Sequence, residues 1–428
     1  LRFESGYLVP YLSGSEDVET ILFNPGIIPE NIPVELCGVK SATILARITA
    51  LEERLQTDEY GLTYLQFTQR NPILMSFPPE IVWLGRKQGL DYWRRSLERF
   101  LPLSTGIDKK DTKKVIELFI TAAEKTRENY EFWKVILAST CNKEKLSKIL
   151  IEWSVSMASK MRSKYMSGFN PLIDYKTPGS IVLNHRMNLA FATIVDEMTD
   201  VGLEAPIFFY TIPLNSTMIK ADHWTSELNE IVRNCRSALD TTDLFGGVHI
   251  TIRNLELISK DPGRVRVVFR LFEELSKIGD DYKLPLWYSR SGLIGLAALD
   301  EGADFASFTP NMSLGDVIIE PGPIEKDKQF GKIIHIDKKE LWDKNQVEKA
   351  LKMKYNLPTL KRVQIRNQPD SIELGTPQYY RKLFSKPYNI AAMTELSLRW
   401  REDIHKGEIR PGRHYLQDFS PPFNIWGL

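Results

Sequence analysis

An α/β fold of the (β/α)8-barrel type, carrying a helical insertion and an appended C-terminal subdomain, is what this 428-residue sequence predicts. Three observations lead there. From residue 180 onward, short apolar runs alternate with segments of helical periodicity, and parallel neighbours in a sheet need such crossovers. The block LPLWYSRSGLIGLAALDEGADFASF reads as one complete βαβ unit: a buried strand, a polar turn, a helix with Leu293, Leu296, Ala297 and Leu299 inward, and Gly302 ending it before the next strand. The chain also exceeds the roughly 250 residues of a typical barrel by an amount one insertion explains. An open doubly wound sheet is the other architecture this pattern allows.

Taken in order, residues 1–85 form the N-terminal barrel half. Its strand candidates are Tyr7–Leu12, Thr20–Phe23, Val34–Val39, Leu62–Phe67, Ile73–Phe77 and Ile81–Leu84, with Ala42–Gln56 a surface helix. Residues 86–166 read as an almost wholly helical insertion, with helices at Leu90–Phe100, Thr112–Lys125, Tyr130–Ser139 and Lys143–Tyr165. The C-terminal barrel half, 167–311, offers strands at Ser180–Asn184, Pro206–Thr211, Gly247–Ile252, Leu284–Tyr288 and Asp304–Thr309. Helices at Met187–Val201, Thr217–Leu239, Arg264–Lys277 and Ser291–Glu301 separate and follow them. Six candidates plus five exceed the eight strands of a closed barrel, so some are extra hairpins or misreadings. Residues 312–428 turn Pro/Gly- and charge-rich, then give a helix at Asn389–Ile404 and the aromatic end HYLQDFSPPFNIWGL, which reads as an appended subdomain and docking tail.

Charge narrows the choice of partners. The formal net charge is only +1, so the chain as a whole exerts no strong field on nucleic acid or membrane. The insertion, however, holds 18 Lys/Arg against 10 Asp/Glu, a local +8 on a remainder of −7. Trp93, Trp133, Trp153 and Tyr130 among those cations are either stacking platforms for a nucleic acid strand or the core of a small helical bundle. Cys37, Cys141 and Cys235 are odd in number and far apart, so neither a disulfide framework nor a zinc clamp is legible. The N-terminus lacks a secretory pattern and no run of about 18 apolar residues occurs, so cytoplasm is expected and a membrane partner is not. Oligomeric state is not legible. No G-x-G-x-x-G, Walker A, G-x-S-x-G or H-E-x-x-H stretch is present, so no cofactor and no metal are expected.

A barrel places its active site at the C-terminal ends of the strands. Those ends are rich in cations and hydroxyls and poor in carboxylates: His185, Arg186, Tyr210, Thr211, Thr251, Arg253, Tyr288, Ser289, Arg290, Thr309 and Asn311. A glycosidase pair of acids is therefore not expected. Arg186, Arg253 and Arg290 point to an anionic ligand, because a guanidinium fork matches phosphate or carboxylate oxygens. Ser289, Thr251 and Asn311 complete the expected binding set, and His249 and Tyr288 are the proton-transfer candidates. The plainer alternatives are that Ser289 or Ser291 merely caps a helix, that His249 is a hydrogen-bonded core residue, and that Arg253 pairs with Asp174, Glu256 or Asp304. The expected function is that of a barrel transferase or hydrolase acting on a phosphate-bearing small molecule, nucleotide or nucleic acid. The alternative from another class is a non-catalytic nucleic-acid or protein-binding module in which the insertion does the binding.

The stretches GLIGLAALDEGADFASF and YNIAAMTELSLRWREDIHKGE resemble the end of barrel enzymes that exchange bases in tRNA. The resemblance covers about a tenth of the chain, and it implies a base-exchanging transglycosylase-like activity. The first half departs from that pattern in having no DSGG-type stretch, and three cysteines fall short of the zinc site usual there.

Overall fold

A computed structural model describes residues 6–59, 61–77, 87–104, 109–126, 129–141, 143–200, 204–253, 261–310, 333–342 and 386–418, together with positions 258, 345–346 and 349. Eight parallel strands close into a barrel in chain order: β1 (Tyr7–Leu12), β2 (Val34–Cys37), β3 (Ile73–Ser76), β4 (Tyr165–Ser167), β5 (Ile207–Asn215), β6 (Phe245–Arg253), β7 (Leu286–Ser289) and β8 (Phe305–Phe308). The ring closes where β1 pairs with β8, Tyr7 opposite Phe305. Closure leaves no sheet edge exposed.

Helices cover the ring. They are α1 (Ser15–Phe23), α2 (Ser41–Thr57), α3 (Tyr64–Arg70), α4 (Lys87–Ser104), α5 (Lys109–Lys125), α6 (Asn129–Ala138), α7 (Leu146–Lys160), α8 (Ser180–Asp200), α9 (Ser226–Thr241), α10 (Pro262–Tyr282), α11 (Ile294–Asp300), α12 (Lys386–His405) and α13 (Pro411–Asp418). Each strand sends alternate side chains outward against these helices and inward to the axis. On β6, Val248, Ile250 and Ile252 pack outward while His249, Thr251 and Arg253 point inward, and all six are buried. The two longest strands, β5 and β6, stay paired up to Asn215 and Arg253, which carries Arg253 above its neighbours at the C-terminal mouth.

Three of the expected strands are corrected. Thr20–Phe23 belongs to α1, whose Val18, Ile21 and Leu22 are buried at helical spacing. Leu62–Phe67 runs into α3, where Thr63 and Gln66 form a reciprocal capping box. Ser180–Asn184 is the start of α8, because Ile181, Asn184, Met187, Asn188 and Phe191 recur every three or four residues on its buried face. Strand β4 was not expected at all. Ile81–Leu84 lies outside the described residues.

The region between β3 and β4 is helical, as expected. Trp93, Trp133 and Trp153 are each at most 1 % exposed and interlock with Phe119, Phe132 and Phe169 at centroid separations of 4.7 to 6.3 Å. This is bundle core, and those rings are not available for base stacking. At the C-terminal end, α12 packs on β1, where the Leu8 N–H donates to Ser397 Oγ at 2.7 Å, so it completes the ring of helices. The start of α12 is tied to α1 by Lys386, whose Nζ lies 2.6 Å from the buried Asp17 carboxylate.

Candidate functional site

The inner face of the barrel carries a polar stack. Its lowest member is Glu35 on β2, fully buried. Trp287 Nε1 donates to Glu35 Oε2 at 3.0 Å, Ser289 Oγ donates to Oε1 at 2.5 Å, and His249 Nε2 stands 3.6 Å from Oε1, beyond hydrogen-bond length. Burial alone would raise the Glu35 carboxyl. The charge and proximity of His249, with the hydroxyls of Ser289 and Ser307, outweigh it and hold the group down at about 2. No resemblance or motif marks this acid, and the sequence reading passed over it. The signal was present, since Glu35 interrupts the otherwise apolar strand VELC.

Above Glu35, at the strand C-termini, ten residues surround one recess: Ser76 and Phe77 at the end of β3, Gly168 and Asn170 after β4, Thr211 and Pro213 on β5, His249 and Thr251 on β6, and Ser289 and Arg290 at β7. Its free volume is about 10 Å³, the room of one oxygen-sized group. Four of the eight expected site residues, His249, Thr251, Ser289 and Arg290, meet here.

Arg290 reaches the recess through its backbone. Its φ is +53°, the left-handed region that a non-glycine residue occupies at a cost of about 1 kcal/mol or more. Ser307 holds that turn: the Arg290 N–H donates to Ser307 Oγ at 2.7 Å and the Ser291 N–H to the Ser307 carbonyl at 2.6 Å. The guanidinium is thereby turned inward, donating to Thr251 Oγ1 at 3.2 Å and lying 5.7 Å over the Tyr11 ring. Neither Ser289 nor Ser291 caps α11, because their hydroxyls go to Glu35 and to the Ser307 carbonyl. The Arg290 and Ser291 N–H groups are likewise committed to Ser307 and not turned to the recess.

Arg253 is buried on the inner face of β6, two residues beyond Thr251. Of the acids expected to pair with it, Asp174 is engaged by Asn215 Nδ2, Thr217 Oγ1 and the Lys176 N–H. Asp304 lies at the opposite end of the barrel, where it accepts the Leu286 N–H, and Glu256 lies outside the described residues.

Two expected site residues fall elsewhere. Arg186 is exposed on the second turn of α8, in the outer layer of helices, because the segment before it is helix and not strand. Tyr288 sits on the outward side of β7, its ring 4.4 Å from Phe272 of α10, and burial pushes its hydroxyl well up, so it faces away from the mouth. Asn311 lies outside the described residues. Its neighbours His185 and Tyr210 in the expected set also leave the axis, meeting each other between α8 and β5 at 3.1 Å.

Asn170 is a second residue that the sequence reading missed. It is fully buried, and neither its Nδ2 nor its Oδ1 has a partner among the described residues. The same holds for Ser167 Oγ. Both follow from β4, a three-residue strand too short to announce itself. Among the described residues there is no group of three or more His, Cys, Asp or Glu placed to hold a metal ion, and no helix is long and apolar enough to cross a membrane. No protein-family model matches the chain, and no curated protein matches it significantly.

Proposed function

We propose that the protein is a barrel enzyme acting on a phosphate-bearing small molecule bound at the C-terminal mouth. The observation that carries this reading is the convergence of His249, Thr251, Ser289 and Arg290 on one recess above a buried carboxylate. Arg290 and Arg253 place two guanidiniums on the inner wall at that end, and arginine is the side chain best shaped to grip a phosphate. The loops after the seventh and eighth strands are also where barrels most often bind phosphate, and Arg290 follows β7 directly.

His249 is the proton-transfer group. Glu35 faces Nε2, so Nδ1 is the nitrogen left to exchange a proton with a ligand. The buried acid holds the ring from its Nε2 side, and Ser289 and Trp287 keep that acid in place. Tyr288 and Arg186 have no part in this reading.

The test is calorimetric titration of inorganic phosphate into the wild-type chain and into Arg290→Ala and Arg253→Ala. Saturable binding that weakens at least tenfold in each variant is expected. Equal binding by all three proteins, or none by the wild type, defeats the proposal.

A further inference from the structure

We infer that the recess beside Arg290 receives a hydroxyl group of the substrate, held by Asn170. This narrows the substrate class to small phosphorylated alcohols such as sugar or polyol phosphates, and it rests on the phosphate reading above. Asn170 is fully buried with both polar atoms of its carboxamide unmatched among the described residues. Leaving such a pair without partners is costly, and Asn170 lines the recess, so a group placed there can serve both atoms. The partner must both accept from Nδ2 and donate to Oδ1, and it must fit a space of about 10 Å³. A carbonyl only accepts, and an ammonium would stand beside the Arg290 cation. A hydroxyl both accepts and donates and is no larger than a water molecule, and His249 lines the same recess.

The helical insertion fixes the position of Asn170. The preceding residue, Phe169, is buried in the aromatic core of the insertion, 4.7 Å from Trp93 and 4.9 Å from Trp133. On the other side, the Gly168 N–H donates to Thr211 Oγ1 at 2.9 Å. A Cβ at Gly168 would stand 2.0 Å from Asn170 Oδ1, so a side chain there would displace the carboxamide. Clamped between the insertion and β5, the three-residue segment turns one side chain into the bundle and the next into the mouth.

Glycerol phosphate, propyl phosphate and inorganic phosphate separate the possibilities, titrated into the wild type, Asn170→Leu and Asn170→Ala. The wild type is expected to prefer glycerol phosphate to propyl phosphate by at least tenfold. Asn170→Leu should abolish that preference, keep the affinity for inorganic phosphate, and melt no lower than the wild type, because it removes an unmatched amide rather than a contact. Equal binding of the two esters by the wild type overturns the inference while leaving the phosphate reading standing. Retention of the preference in Asn170→Leu and Asn170→Ala does the same, as does a fall in Tm of several degrees in both, which would make the amide structural. Failure of inorganic phosphate to bind the wild type removes the phosphate reading and this inference with it.

Discussion

The two ends of the barrel treat their polar groups in opposite ways. At the N-terminal end, Asp300, the last residue of α11, accepts from Trp400 Nε1 at 2.8 Å, from the Gly412 N–H at 2.9 Å and from the Arg413 N–H at 2.7 Å, while Arg413 pairs with Glu301. That carboxylate is saturated by the C-terminal helices α12 and α13. Gly412 lets α13 approach so closely that a Cβ there would lie 2.1 Å from the Leu296 carbonyl. At the C-terminal end, Asn170 and Ser167 stay unmatched among the described residues and Arg290 is held in a strained backbone conformation. Around Asp300 the polar groups tie helices to one another, while Asn170 turns an unmatched carboxamide into the recess, a division expected of barrels that bind ligands at the strand C-termini.

The largest effect that can break this contrast is at the stabilising end. Asp300→Ala leaves three donors without an acceptor, and a cost of about 4 kcal/mol is expected, since hydrogen bonds to a charged group are worth roughly 1.5–3 kcal/mol each and do not add fully. Denaturant unfolding measures it, and phosphate affinity at a temperature where the variant is folded should be unchanged. A variant that keeps its stability but loses phosphate binding would invert the assignment of the two ends.

A somewhat smaller effect is expected from Glu35, and it is visible in pH. The group is held at about 2, below its ordinary value of about 4.3 in an unfolded chain. A carboxyl lowered on folding contributes stability that is fully present above the unfolded value and lost as the pH falls through the folded one. Between pH 4.3 and 2 this amounts to about 3 kcal/mol. Asp300 behaves oppositely, since burial raises it. Unfolding free energies measured across that window should therefore fall less steeply in Glu35→Gln than in the wild type. Identical slopes would mean that the Glu35–His249 contact contributes nothing to the fold.

The same contrast explains what the sequence made legible. Strands β1, β2, β3, β5, β6, β7 and β8 were readable because each runs four or more residues of mostly apolar or alternating character, and the βαβ unit around GLIGLAALDEGADF has all its signals in local chemistry. Strand β4 escaped because three residues, Tyr165–Ser167, carry no period, and Asn170 escaped with it. Ser180–Asn184 misled because its five residues suit a strand, and only the continuation through Met187 and Phe191 reveals the helix. At the site, His249, Thr251, Ser289 and Arg290 follow from a period of two along β6 and from the βα turn after β7. Arg186 and Tyr288 failed for the two reasons such lists fail, a misassigned element and the wrong face of a correct strand. Glu35 was hidden because its importance comes from β6 and β7, more than 200 residues away in sequence.

The smallest expected effect concerns the basic insertion, whose charge invited a nucleic-acid reading that its buried tryptophans do not support. Lys110, Lys113 and Lys114 are exposed on α5, and surface substitutions of this kind usually change stability by less than about 0.5 kcal/mol. A triple Lys→Gln variant at these positions should match the wild type in Tm and in phosphate affinity. The decisive measurement is oligonucleotide binding at several salt concentrations. Each lysine that contacts a phosphate adds a little under one to the slope of log affinity against log salt, so a wild type with a steep slope, flattened by the triple variant, would locate a macromolecular partner on α5. No measurable slope in either protein leaves the mouth of the barrel as the place where this chain meets its ligand, with the lysines serving as the wet face of a bundle whose core clamps Phe169 and so presents Asn170.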